Sequence, residues 1–357
     1  MDDGYAWIVD PDAPLRPWRA YVDLGAALEA RGDLRRAASA YDRAFGLDPT
    51  PRELVDARRR VLDALEVREH GMVFRYVPAG VFTMGNDEGE ADEGPAHPVA
   101  LGDYWLSDIP VTWAAYCALM GWDDPVQGGM PKGWRDGPRP ASGTPEWKGR
   151  FTFYEECKLR WRYCRARSDA PSTGDAVDPN ELVTDYATRP LVCVGWNDAA
   201  ALGAAITQEH TTWRLPTEAE WEKAARGGLA GCAYPWGDAL PSGTLCDFGR
   251  FDRFSILDPR AFAPNGYGLH AMVGTVWEWT SDWYDARYYG ESPRRDPQGP
   301  AKGRGKVLRG GSWADCEDVC TVSYRMERAP ASWRDGGWGE HMCPNIGFRL
   351  ARVERRP

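Results

Sequence analysis

Two cysteines, Cys316 and Cys320, stand four residues apart in the stretch VLRGGSWADCEDVCTVSYRMERAP, just after Gly310, Gly311 and Ser312. Thiolates are soft-metal ligands and redox groups, and a helical stretch between these two would bring both sulfurs to one face. The plainer reading is that each is a small buried hydrophobe, as free cysteines often are. Ser312 has no His/Asp arrangement that would make it a nucleophile. With Gly310 and Gly311 it reads more simply as a tight turn packed against Trp313.

The composition narrows the setting for this chemistry. At 357 residues, with 43% hydrophobic and 27% charged side chains, the chain can bury a sizeable core. Its apolar runs all fall short of the length a membrane span needs, so no membrane association is expected. The start, MDDGYAWIVDPDAPLRPW, is acidic where a secretory signal would be basic, and a cytoplasmic location is expected. Nine cysteines without a regular framework suit reduced thiols better than a disulfide scaffold. A formal charge of -10 argues against a nucleic-acid partner, because backbone binding needs a basic surface. Eighteen Trp beside 39 Gly and 28 Pro suggest few long elements and many loops fixed by aromatics and turn residues.

Several elements must position the thiols. After an N-terminal extension over 1–17, residues 18–68 read as a helical segment. Tyr21, Leu24, Gly25 and Leu28, then Ala37, Tyr41 and Ala44, fall at helical spacing about a Gly32-Asp33 turn, and TPRELVDARRRVLDALEV supplies a third helix. The hairpin resembles one tetratricopeptide unit. A single unit cannot bury its apolar face alone, so it either caps the rest of the chain, docks a partner or forms an oligomer contact. Residues 69–357 change to short β-like runs broken by Gly and Pro. Helices are expected at Asp198–Ile206 and Thr217–Arg226, the latter opened by a capping box of Thr217 and Glu220. A segment over about 123–188, Pro/Gly/Ser-rich around a basic aromatic centre, reads as an insertion: a surface flap, a lid or a partner contact.

Eight ordered motifs carry a resemblance over residues 72–353. They are VPAGVFTMGNDEGEADEGPAHPVAL, PVTWAAYCALM, RPLVCVGWNDAAALG, WRLPTEAEWEKAARGG, YPWGD, NGYGLHAMVGTVWEWTSDWY, VLRGGSW and NIGFRLAR. The chain resembles the formylglycine-generating enzyme (sulfatase-modifying factor) family. The resemblance implies an α+β fold related to C-type lectins, with few regular elements and many loops. It does not decide activity. Family members include copper-dependent oxidases that convert a substrate cysteine to formylglycine, iron-dependent sulfoxide synthases and non-catalytic ligand-binding proteins, some diversified by retroelements.

In the oxidases the Cu(I)-binding cysteines lie three and eight positions after the motif serine. Here the third position is Asp315 and the eighth is Cys320, so Cys316 falls one place late and the spacing is C-x3-C. Tyr324 and Arg325 follow at the spacing of the broader, non-catalytic members. The resemblance also implies structural calcium. Glu278 and the Gly274 and Val276 carbonyls form one candidate set, although Ala271 stands where an asparagine ligand is usual. Asp247 and the Phe248 carbonyl form the other. The five histidines, at 70, 97, 210, 270 and 342, lack the cluster an iron site needs, and His97 and His210 read as structural.

Two functions are therefore carried forward. One is a non-catalytic module that binds a ligand, protein or peptide through residues 313–343, with Trp313, Asp315, Asp318, Trp333, Arg334 and Trp338 as binding residues. A retroelement-diversified variable protein falls within this class. The other is a copper- and oxygen-dependent oxidase using Cys316, Cys320 and Ser312. No cofactor is certain: calcium would be structural, and copper enters only with the oxidase.

Overall fold

A computed structural model describes residues 6–119, 189–192, 194–250, 256–330 and 345–354. The expected insertion lies outside these residues, as do Trp333, Arg334 and Trp338.

After a short helix α1 (Ala6–Val9), helices α2 (Trp18–Ala30) and α3 (Leu34–Leu47) form the expected hairpin, and α4 (Arg52–Ala64) follows. The Asp33 carboxylate caps α3 by accepting from the Arg36 N–H at 3.3 Å. Gly25 lets the first two helices close tightly, since a Cβ there would lie 2.7 Å from the Tyr41 ring. These helices cap the rest of the chain. Arg58 of α4, 3% exposed, donates to Asp42 at 2.7 Å, to the Gly266 carbonyl at 2.7 Å and to the Gly227 carbonyl at 2.9 Å. The Trp105 indole donates to the Leu65 carbonyl at 2.7 Å.

The remainder is an assembly of short strands. A five-stranded sheet runs in the order β1 (Val67–Glu69), β2 (Met72–Val77), β5 (Tyr104–Ser107), β11 (Ala351–Glu354), β6 (Thr211–Arg214). A four-stranded sheet runs β10 (Ile346–Phe348), β7 (Trp277–Trp283), β8 (Lys306–Arg309), β9 (Arg325–Arg328), and β10 is parallel to β7. Strands β3 (Gly80–Met84) and β4 (His97–Leu101) pair separately. Two further helices are α5 (Trp113–Leu119) and α6 (Trp196–Ile206). This mixture of short elements and long loops is the expected α+β architecture.

At the centre lies α7 (Glu218–Arg226), EAEWEKAAR, and all nine of its residues are buried. Its start is the expected capping box: Glu220 N–H donates to Thr217 Oγ1 at 3.1 Å and Thr217 N–H to Glu220 Oε2 at 2.8 Å. It stops at Gly227, in the left-handed conformation at φ 60°. A helix with five ionisable side chains can be buried only if its charges are met, and four of the five meet an opposite charge while Lys223 meets two carbonyls. Glu218 takes Arg325 at 2.7 and 3.0 Å. Glu220 takes both guanidinium nitrogens of Arg214, at 2.6 and 2.7 Å. Glu222 takes Arg226 at 2.7 Å, Arg309 at 2.5 Å and the Gly85 N–H at 2.8 Å. The Trp221 indole donates to Glu278 at 2.7 Å.

Asp282 adds a further carboxyl, accepting from the Glu218 N–H at 2.8 Å. Burial, and next the negative charge of Glu218, push its pKa up to about 7.

Two predictions follow from this charge arrangement. Glu222→Gln leaves two buried guanidinium groups underneutralised and should cost about 3–5 kcal/mol. Arg52→Ala, removing one partner of a pair that is 95% and 65% exposed, should cost less than about 0.5 kcal/mol in the same denaturant titration. The second concerns pH. Because the folded pKa of Asp282 lies above its unfolded value, the native state holds a proton that the unfolded chain releases. Its contribution is therefore favourable at low pH and is lost as pH rises toward 7. Asp282→Asn should gain stability over wild type at about pH 8 more than at about pH 5, as read from unfolding midpoints.

Candidate functional site

The stretch that follows β8 is built by its two glycines. Gly310 and Gly311 have φ of 98° and 69°, a region costly for residues with a Cβ. Space forbids one as well: a Cβ on Gly310 would lie 2.8 Å from the Met272 carbonyl oxygen, and one on Gly311 would lie 2.8 Å from Cys320 Sγ. The chain therefore presses flat against the loop before β7 and against the cysteine turn.

Ser312 is fully buried and committed to this turn. Its hydroxyl hydrogen-bonds to the Asp315 carboxylate, and it accepts from Asn345 Nδ2 at 2.9 Å and from the Ala314 N–H at 3.3 Å. Asp315 thus holds the turn through its side chain, while its carbonyl accepts from the Gly249 N–H at 2.8 Å. Trp313 is 7% exposed and packs with Val192, Ile256 and Val276 in a satellite core. The structure thus places this expected binding residue inside the protein, where it packs the loop.

The two cysteines are separated by a 3-10 turn over Glu317–Val319. In an α-helix residues four apart fall about 40° from one another. In a 3-10 turn of three residues they fall about 120° apart. Cys316 opens the turn exposed, and Cys320 closes it fully buried. Cys320 Sγ lies over Gly311 and 4.0 Å from the Ser312 carbonyl oxygen. Burial pushes its thiol well above the ordinary range, and its neighbour Cys246 is pushed up to about 12 by the same cause. Among the described residues no group of three or more His, Cys, Asp or Glu is placed to hold a metal ion.

The candidate calcium carboxylates already have cationic partners. Asp247 is held by Arg250 through two bonds of 2.5 and 2.6 Å, and its carbonyl accepts from the Thr275 N–H at 2.9 Å. Glu278, 1% exposed, accepts from Arg349 Nε at 2.8 and 3.0 Å as well as from Trp221. Burial raises the pKa of both carboxyls, and the arginines oppose it. Gly274 donates its N–H to the Gly310 carbonyl at 2.8 Å, and Val276 packs against Trp313. Phe248 is half-buried against the main core. Calcium at Glu278 would have to displace a guanidinium from a buried carboxylate, so this donor set does not fit the ion as it stands. At Asp247 the same obstacle is Arg250.

The surface around the cysteine turn includes Asp318, one of the expected binding residues, and the aromatic pair of the YPWGD motif. Glu317 and Asp318 are exposed beside the buried ring of Tyr234, which stacks on Trp236 with centroids 5.3 Å apart. Tyr324, half-buried, tilts against Trp277 at 6.0 Å. Burial raises the pKa of both tyrosines. The next causes are the charges of Glu90, Asp92 and Glu93 at Tyr324 and of Glu317 and Asp318 at Tyr234.

Comparison with known proteins agrees with this geometry at the level of the family. Residues 59–354 match the sulfatase-modifying factor enzyme 1-like domain. The formylglycine-generating enzyme of Streptomyces coelicolor is 35% identical over 310 residues, covering 77% of this chain and 87% of that protein. A mouse protein named inactive C-alpha-formylglycine-generating enzyme 2 is 31% identical over 309 residues, covering 79% and 86%. Among solved structures, Treponema denticola variable protein 1 superimposes with a TM-score of 0.55 at 22% identity over 80% of this chain and 97% of that one, a likeness of fold. The chain belongs to the sulfatase-modifying factor enzyme 1-like family, with its C-type-lectin-related fold.

Proposed function

We propose that this chain is a non-catalytic binding module on the formylglycine-generating-enzyme scaffold. The observation that carries the reading is the divergence of the two thiols. Cys320 is sealed beneath Gly311 while Cys316 stands exposed. Ser312, the third member of an oxidase site, is locked by Asp315 and Asn345.

The binding face in this reading is the rim of the cysteine turn, with Glu317, Asp318, Trp236 and Tyr324. Carboxylates beside aromatic faces suit a basic segment of a protein or peptide, because lysine and arginine gain both charge pairing and ring contact. This is an expected partner class, and the ligand's sequence is left to experiment. The copper-dependent oxidase is the second reading, favoured by the 35% identity to the Streptomyces coelicolor enzyme.

Anaerobic Cu(I) titration against a chromophoric chelator separates the two. The binding-module reading expects wild type, Cys316→Ser and Cys320→Ser to compete equally or not at all. Tight one-to-one Cu(I) binding lost in both variants would transfer the assignment to the oxidase. A second check is alkylation of the native protein followed by peptide mapping. Cys316 should be modified within the first exposure to iodoacetamide, and Cys320 and Cys246 only after denaturation.

A further inference from the structure

The helical cap and the strands beneath it leave a cavity of about 350 Å³, a volume in the range of small-ligand sites. Its walls come from the N-terminal segment, from α3, from the β3–β4 hairpin and from the end of α7. It is remote in sequence from the cysteine turn, and none of the cysteine-turn residues lines it.

Two cations line this cavity without a carboxylate partner among the described residues. Lys223 is 2% exposed, and its ammonium donates to the Pro78 carbonyl at 2.6 Å and the Gly80 carbonyl at 3.1 Å. Three protons face two acceptors, and a buried cation held only by neutral carbonyls is incompletely compensated. Burial pulls its pKa down to about 8. Arg43 lies beside it on α3. Its Nη1 donates to the Val81 carbonyl at 3.2 Å, and its Nε is buried with no hydrogen-bond partner among the described residues. The Nε–Nη2 edge of a guanidinium is the edge that takes a carboxylate side-on through two parallel bonds.

Three carboxylates act on Lys223 from beyond contact, Asp42, Asp103 and Asp296; Asp103 is held by Arg35 and Tyr76, and Asp296 accepts from the Gly102 N–H. Asp42, which also lines the cavity, accepts from Arg58 at 2.7 Å and from Tyr267 at 2.8 Å. Asp10 and Asp12 pair with Arg295 and Arg294. The mouth is apolar instead: Leu15 and Leu47, 64% and 40% exposed, both belong to the lining, as does Phe82. Large exposed hydrophobics gathered at a cavity with unpaired cations describe an amphiphile in negative relief.

We propose that this cavity binds a small carboxylate with a compact apolar body, the carboxylate on Arg43 and Lys223 and the body against Leu15, Leu47 and Phe82. Such a ligand would bridge the helical cap to α7 and would neutralise the one charge of α7 that protein carboxylates leave unanswered.

Isothermal titration of the full chain with sodium octanoate, with octan-1-ol and octylamine as neutral and cationic chains of matched length, tests this. Octanoate should saturate one site, and octanol should bind at least about tenfold more weakly. Octylamine should not bind. Arg43→Gln should weaken octanoate by about tenfold or more. Because Arg43 also holds Val81, a second variant at the exposed rim, Leu47→Glu, guards against misfolding: it sets a repelling carboxylate at the mouth and should weaken octanoate too. Octanoate that fails to bind, binds no better than octanol, or binds both variants as well as wild type overturns the proposal. Either result leaves the reading of the cysteine turn untouched, since the Cu(I) titration concerns different residues.

Discussion

The structure depends on burying a helix that carries more charge than apolar surface. Placed in the centre, α7 brings Glu218, Glu220 and Glu222 out of water together, and the desolvation of three carboxylates is tolerable only if cations meet them with good geometry. Those cations arrive from distant points of the chain: Arg214 from β6, Arg309 from β8, Arg325 from β9. Each strand is thereby assigned a position by the charge it delivers. Short strands with little hydrogen-bonding of their own gain a register they could not hold by ladder pairing alone.

The same economy shapes the candidate site. Arginine meets both carboxylates that the resemblance offers to calcium, Arg250 at Asp247 and Arg349 at Glu278. A guanidinium supplies positive charge and directional donors, which is what a buried carboxylate needs in order to stay ionised. In the cysteine turn Cys320 packs under Gly311, and Ser312 accepts from Asn345. What stays exposed at the turn, besides Cys316, is the carboxylate pair Glu317 and Asp318, beside the half-buried rings of Trp236 and Tyr324.

Much of the fold was legible in the sequence, and specific residues explain why. The hairpin of α2 and α3 followed from Gly25, Tyr41 and the Asp33 cap, and α7 from the Thr217–Glu220 box, because these are local signals with fixed spacing. Local spacing could not reveal that α7 is buried on every side, since its composition is that of a surface helix. The thiols meet the same limit: a separation of four fits two sulfurs on one helical face or two small buried hydrophobes, and only the 3-10 turn between them leaves Cys316 exposed and Cys320 buried. The burial of Trp313 and the joining of residues around 90 to those around 317 are tertiary facts without a linear trace.

One feature of the connectivity bears on how the molecule is made. The last described strands enter both sheets: β10 lies beside β7, while β11 inserts between β5 and β6. Arg349, at the step between them, binds Glu278 on one side and the Ser107 carbonyl on the other. Neither sheet is complete, and the Glu278 carboxylate lacks its guanidinium, until this segment is available. During synthesis the body of the protein must wait with its edges open for a strand more than two hundred residues away in sequence from β5. Contacts of that separation are slow to close, so the interval before this segment arrives is when the open edges are most exposed to mispairing.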